Sequence, residues 1–163
     1  MRLKLNVGDA MYIRMADNRD RRQIWDLIFP ILSSYGLTMD AETIDHDLTD
    51  IEANYWRQQG AFYVLMHGAQ LIGTVALHRA SETVCELRRM YLAADYRGKG
   101  LGRELLQFAL QQAEARGFSE VVLKTASVLK EALALYRRAG FIPVADQGPG
   151  GNCDVVMSRK ISG

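Results

Sequence analysis

The segment Tyr91-Leu92-Ala93-Ala94-Asp95-Tyr96-Arg97-Gly98-Lys99-Gly100-Leu101-Gly102-Arg103 changes its hydrophobic period halfway along. Before it, Val84 to Leu92 reads as a strand. After it, Leu101, Leu105, Phe108, Ala109 and Ala113 recur at helical spacing, which predicts a helix over Gly100 to Arg116. Three alternate glycines lie at the junction. Glycine lets a backbone bend and approach a ligand with no Cβ in the way. The start of a helix adds unpaired N–H groups and the positive end of the helix dipole, which together suit phosphate. Arg97, Lys99 and Arg103 supply local positive charge. The same residues also suit a Gly-rich turn with solvated basic side chains. Two phosphate loops are excluded: GxxxxGK[ST] is absent because Lys99 precedes Gly100, and GxGxxG is absent because the glycines fall at 98, 100 and 102.

Working outward, Met11 to Met15 reads as a strand, and Ala16-Asp17-Asn18 offers N-cap chemistry. Ile24, Leu27, Ile28, Ile31 and Leu32 form a helical stripe. Pro30 is expected to kink or shorten that helix, and Gly36 to stop it. Ile44, Leu48, Ile51 and Tyr55 predict a second helix, acidic on its outer face through Asp40, Glu42, Asp45, Asp47, Asp50 and Glu52. Phe62–Met66, a turn at His67–Gln70, and Leu71–Leu77 read as a hairpin, and Val84–Leu92 extends it. Val121–Leu123 is nearly all apolar, as a buried parallel strand would be. Leu129, Ala132, Leu133 and Tyr136 stripe a last helix ended by Gly140. A strand at Phe141–Val144, a loop at Gln147–Asn152 and a closing strand at Asp154–Ile161 complete the chain. The order β-α-α-β-β-β-α-β-α-β-β predicts an α/β (α+β) layer fold with a mixed central sheet.

The chain has 163 residues, one domain by length, with 48% apolar and 24% charged residues. Its 20 Lys+Arg against 19 Asp+Glu leave a net charge of +1, which argues against a duplex nucleic-acid binder. Cys85 and Cys153 have no paired spacing, so neither a disulfide scaffold nor a zinc module is expected. With no signal-peptide pattern and no apolar run of membrane-spanning length, a soluble cytoplasmic protein is expected.

Arg97-Gly98-Lys99-Gly100-Leu101-Gly102 resembles the R/Q-x-x-G-x-G/A signature of GNAT-type N-acetyltransferases. Glu86-Leu87-Arg88-Arg89-Met90-Tyr91-Leu92 looks like the strand that precedes it, and Ala134-Leu135-Tyr136-Arg137-Arg138-Ala139-Gly140-Phe141 like the family's LYxxxGF segment. The resemblance implies a GNAT fold of about seven strands flanked by four helices, with acetyl-CoA or another acyl-CoA as co-substrate. It implies that the backbone of Arg97, Gly98, Lys99, Gly100, Gly102 and Arg103 holds the pyrophosphate. Pantetheine would pair with the backbone of Met90 and Leu92 as an added strand, and a backbone N–H there would stabilise the oxyanion. It implies an acyltransferase, most simply an acetyltransferase, with direct attack of an amine in a ternary complex. A non-catalytic acyl-CoA sensor on the same fold is the alternative. No metal is expected, and the resemblance admits a homodimer.

The leaving thiolate needs a proton, and a Tyr hydroxyl is a reasonable donor. Tyr136 stands at the matching family position, although a core Tyr with a satisfied hydroxyl fits its stripe equally. The amine needs a base, and Glu86 is the first candidate. Strand alternation puts Glu86, Arg88 and Met90 on one face, with Leu87, Arg89 and Tyr91 on the other. An ion-paired strand carboxylate is the competing reading. GNAT-type enzymes often carry an Asn near the splayed strand. Here the stretch reads Lys124-Thr125-Ala126-Ser127, and Thr125 or Ser127 would substitute. His67 and His78 are expected to be solvated, and His46 is a second base candidate. Cys85 reads as a small buried residue. Trp25, Trp56, Tyr55 and Tyr35 are expected in the core. The acidic stretch Asp40–Glu52 would attract a cationic acceptor if it walls the site, or would be a solvated helix face. Small amines, amino acids, peptide N-termini, lysine side chains and antibiotics all remain open as acceptors.

Overall fold

The computed structural model describes residues 3–4, 10–43, 45–144 and 153–161. Its strands are β1 (Leu3–Lys4), β2 (Met11–Met15), β3 (Ala61–His67), β4 (Gln70–Arg79), β5 (Val84–Leu92), β6 (Glu120–Thr125), β7 (Ile142–Pro143) and β8 (Val155–Lys160). Its helices are α1 (Arg21–Ser34), the single turn α2 (Ile51–Asn54), α3 (Leu101–Ala115) and α4 (Lys130–Arg138). The strands form one mixed sheet in the order β1-β2-β3-β4-β5-β6-β8-β7. All neighbours are antiparallel except β5 and β6. The predicted α/β layer fold is the one observed. Among the described residues no helix is long and apolar enough to cross a membrane.

Two apolar clusters sandwich the sheet. On one face Leu105, Phe108, Ala109 and Ala113 of α3 and Leu133 and Tyr136 of α4 pack on Leu65, Leu77, Leu87, Val121 and Leu123. On the other, Ile24, Ile28 and Leu32 of α1 pack with Leu48, Ile51 and Tyr55 on Phe62, Val64 and Ala76. β3 alternates between them, so both of its faces are buried, as its continuous apolar run requires.

Several expectations change. α1 runs through Pro30 to Ser34. Pro30 is exposed, so the carbonyl it leaves without an N–H partner can be satisfied by water. The helix ends as predicted at Gly36, φ +74°, where Leu37 N–H returns to Leu32 O and Gly36 N–H to Ser33 O. The predicted acidic helix is instead a turn near Asp40, a 3-10 turn at His46–Thr49 and the short α2. Its short polar side chains bond the backbone locally and compete with the helical ladder. Asp40 accepts from Glu42 N–H, Asp45 from Asp40 N–H, and Asp50 from Ala53 N–H. Ile44, part of that predicted stripe, lies outside the described residues, as does the Gln147–Asn152 loop. β7 holds only Ile142–Pro143 of the predicted Phe141–Val144 strand. β6 is parallel to β5 but antiparallel to β8.

Candidate active site

β5 carries one residue too many for its neighbour. Ala76 pairs with Arg88 and Thr74 with Tyr91, so Arg89 and Met90 together face Val75. This is a β-bulge. Arg89 takes φ +54°, a left-handed conformation unfavourable for a side-chain-bearing residue, and Thr74 Oγ1 donates to its carbonyl at 2.7 Å. The extra residue flips the faces that follow. Arg89 and Tyr91 join Glu86 and Arg88 on the α1 side, where all four line one cavity. Met90 packs with Leu87 on the α3 side. The predicted alternation thus holds through Arg88 and fails beyond it.

The parallel pairing of β5 and β6 also stops here, at Leu87–Leu123. Beyond it β5 stays with β4 and β6 with β8, so the two strands part. A cavity of about 240 Å³ opens in the splay. Met90, Leu92, Arg97, Gly98, Gly102 and Tyr136 line it, with Ile31 of α1, Tyr35 just after that helix and Leu135 of α4. A second cavity, about 520 Å³, adjoins it on the α1 side and is lined by Asp45, Asp47, Glu86, Arg88, Arg89 and Lys124 among others. Leu87 to Arg89, Tyr91, Lys124, Thr125 and Leu129 border both, so the two communicate across the splayed strands.

The glycine loop sits at the mouth of the first cavity. Gly98 and Gly100 have φ +75° and +81°, and a Cβ on either would meet no protein atom within 4 Å. Their demand for glycine comes from backbone conformation and leaves open space beside the chain. The helical ladder of α3 begins with Glu104 N–H to Gly100 O, so the N–H groups of Leu101, Gly102 and Arg103 precede the first helical bond. The basic side chains are less uniform than the sequence implied. Arg97 folds back, its Nε donating to Leu92 O at 3.1 Å. Lys99 lies over the Tyr96 ring, 5.7 Å from its centroid. Arg103 is exposed on α3.

Tyr136 projects from α4 into the first cavity. Burial pushes its hydroxyl pKa up, with a smaller contribution from Tyr91. Among the described residues that hydroxyl has no hydrogen-bond partner, unlike a satisfied core Tyr. Glu86 is buried and held by charge: Arg88 Nε donates to Oε1, and Lys124 Nζ lies 3.6 Å from Oε2. Glu86 is thus ion-paired, as the competing reading expected, and its carboxylate also borders the second cavity, where a base would have to act.

Asp45 and Asp47 do not form a solvated acidic face. Both turn inward onto Arg89, with Asp45 Oδ1 at 2.7 Å from Nη1 and Asp47 Oδ1 at 2.5 Å from Nη2. Tyr55 also donates to Asp47. Burial alone would raise the Asp47 pKa, but the Arg89 hydrogen bond and charge outweigh it and hold the carboxyl below its ordinary value. Asp50 and Glu52 bind Asn18 instead. The expected attraction of a cationic acceptor by this stretch is weakened, because five of the six acids accept hydrogen bonds from protein groups and Asp45 and Asp47 share a cation.

Of the remaining candidates, Thr125 borders both cavities, whereas Ser127 is committed to Asp154, which accepts from its N–H and hydroxyl at 2.6 Å each. His46 is exposed and borders neither cavity. His67 is not simply solvated: its Nδ1 is 2.6 Å from the Tyr96 hydroxyl. His78 is half-buried with no partner for Nδ1, and burial lowers its pKa. Cys85 is fully buried, and burial pushes its thiol up to about 12. Tyr55 is core, but Trp56 is exposed and Tyr35 lines the first cavity.

A family model described as the acetyltransferase (GNAT) family matches residues 24–141. Over 152 residues the chain is 33% identical to a protein of Escherichia coli K12 named uncharacterized N-acetyltransferase YjgM, spanning 88% of this chain and 90% of that one. The chain belongs to the GNAT acetyltransferase family. GNAT structures share its fold. A GNAT-family acetyltransferase of Staphylococcus aureus superposes with a TM-score of 0.87 at 19% identity, covering 94% of this chain and all of that one. The yncA protein of Salmonella typhimurium, solved with its cofactor acetyl-CoA, gives 0.74 at 20% identity, covering 94% and 95%. Some other curated GNAT relatives are longer, and the chain spans about half the length of the rat N-acetyltransferases of family 8.

Sequence reading of this GNAT chain missed Arg88, Arg89 and Lys124 as lining residues, and Ile31 of α1 and Tyr35 just after it. A signal for the arginines existed. Two adjacent charges inside a strand, Arg88-Arg89, break period-2 alternation, as a bulge does. Ile31 and Tyr35 gave no local signal, because only packing brings α1 over the splay.

Proposed function

We propose that the protein transfers the acetyl group of acetyl-CoA to a primary amine by direct attack in a ternary complex. The observation that carries this is the cavity between the parted strands, with the Gly98–Arg103 loop at one end and the unpartnered Tyr136 hydroxyl inside. The backbone N–H groups of Gly98 to Arg103 bind the cofactor pyrophosphate, aided by the α3 dipole, whereas that of Arg97 is taken by Ala94 O. The edge of β5 around Met90 and Leu92, which has no β6 partner, takes the pantetheine as a further strand, and a backbone N–H beside the bulge stabilises the oxyanion. Acetyl-CoA supplies the activated thioester carbonyl. The amine nitrogen bonds to that carbon, the C–S bond breaks, and the sulfur leaves with its electron pair. Glu86 takes the amine proton, through Oε2, which Lys124 approaches too loosely for a full hydrogen bond. Tyr136, which is protonated at neutral pH, gives its proton to the sulfur.

The test is Tyr136→Phe. General acid–base catalysis contributes typically 10²–10⁴-fold, so kcat should fall by about a hundredfold or more while the melting shift with acetyl-CoA is kept. Acetyl-CoA at a hundred times its Kd should add about 2.7 kcal/mol of stability, whereas ATP and NAD should add none. Unchanged turnover in the variant would remove Tyr136 from the mechanism. No melting shift with CoA or acetyl-CoA would remove the mechanism itself.

A further inference from the structure

The charges around the second cavity are not equally accessible. The side chains of its carboxylates are withdrawn, with Glu86 8%, Asp45 4% and Asp47 13% exposed. Two of its cations are more exposed, Arg88 at 35% and Lys124 at 51%. Arg89 pairs with two carboxylates and leaves that withdrawn trio one negative charge in excess. The more exposed group of Glu86, Arg88 and Lys124 carries one positive charge in excess. Cation and anion are thus separated by depth within a site that is neutral as a whole. An entering molecule meets cations first, with the acids behind them. That arrangement disfavours a polyamine and favours a monoanion. Arg88 has five N–H donors, of which Glu86 engages only part. A planar guanidinium matches a carboxylate in geometry as well as charge, and the acids behind the cations suit the ammonium end of a molecule that carries both groups.

We propose that the acceptor is an amine that also carries a carboxylate, an amino acid or a close relative, and that Arg88 and Lys124 bind this carboxylate from the α1 side of the splay. The inference rests on the acetyltransferase reading of the adjoining cavity. Because the two cavities share the Arg88 and Lys124 border, a carboxylate held there leaves an amine a few bonds away directed at the thioester.

The test measures CoA release from acetyl-CoA with matched acceptors: a panel of L-amino acids, the corresponding amino acid amides, phosphoethanolamine, and spermidine. The readout is the ratio of kcat/KM for each amino acid over its amide. Both members use the same cofactor, Glu86 and Tyr136, so a general catalytic defect cancels. The best amino acid should exceed its amide by about tenfold or more. Arg88→Met and Lys124→Met should each bring the ratio toward one, chiefly by raising KM for the acid. A ratio near one in the parent, a preference for spermidine or phosphoethanolamine, or an unchanged ratio in both variants overturns the proposal. If no acceptor releases CoA, the same pairs are titrated by calorimetry into CoA-loaded protein. Tighter binding of the acid supports the proposal, and equal binding or none overturns it. A retained melting shift with acetyl-CoA in those cases leaves the acetyltransferase reading standing. Loss of the shift removes both.

Discussion

Replacing Arg89 with Met tests how the bulge is held. The guanidinium binds Asp45 and Asp47 together; Asp45 is buried, and Arg89 and Asp47 are largely withdrawn from solvent. Arg89→Met keeps the length and apolar stem but leaves two carboxylates inside without their cation. Removing one partner of a buried pair costs about 3–5 kcal/mol. For a chain of this length each kcal/mol corresponds to roughly 2–4 °C in Tm, so a fall of about 6–20 °C is expected by calorimetry. The deficit should depend on pH. Burial tends to raise the Asp47 pKa, but Arg89 overrides it and the folded-state value lies below the unfolded one. Its stabilising contribution is therefore complete above the unfolded value of about 3.9 and is lost as pH falls through the lowered folded value. In Arg89→Met the buried Asp47 charge can instead be discharged by a proton, so the gap between parent and variant narrows toward about pH 4. Adding Asp45→Asn and Asp47→Asn to Arg89→Met should recover part of the loss. A fall of under about 2 °C, or a deficit constant from pH 8 to 4, would refute the reasoning that this triad is a buried, mutually dependent unit.

Other outcomes follow from particular contacts. A Cβ on Gly60 would lie 2.2 Å from Leu77 O, a backbone atom, so Gly60→Ala should cost about 1–3 kcal/mol or more by chemical denaturation. An unaltered midpoint would contradict that packing. Gly100→Ala meets open space but a left-handed φ, so a loss of about 1–2 kcal/mol is expected without ligand. Its melting shift with acetyl-CoA should also shrink, and an undiminished shift would argue against this backbone as the anion cradle. Cys85, with its thiol pushed up to about 12 by burial, should resist iodoacetamide at pH 8 until the protein unfolds. Rapid labelling of native Cys85, mapped by mass spectrometry, would show that β5 opens.

Local pattern carried most of the fold. The periodicity of α1 and α3, the hairpin of β3 and β4, and the 91–103 strand–loop–helix junction were legible because each signal lies within about a dozen residues. The acidic helix failed for a reason also local but weaker. Apolar spacing at Leu48, Ile51 and Tyr55 was outvoted by Asp and Asn side chains bonding their own backbone. The site was legible in its backbone parts, because glycine positions and strand ends are written in sequence. It was illegible in its charges, since partners such as Arg89 and Asp45 are 44 residues apart.

The sequence by itself determined the loop at Gly98–Gly102, the strand before it and the place of Tyr136 on an apolar stripe. These depend on backbone freedom and on periodicities that neighbouring residues enforce. The tertiary structure alone decided which charges face the cavity. One extra residue at Arg89 turns the strand over just beyond the point where β5 and β6 part, and places the guanidinium against Asp45 and Asp47. Pairing across such distances depends on how the chain packs, and alternation along a strand cannot anticipate it.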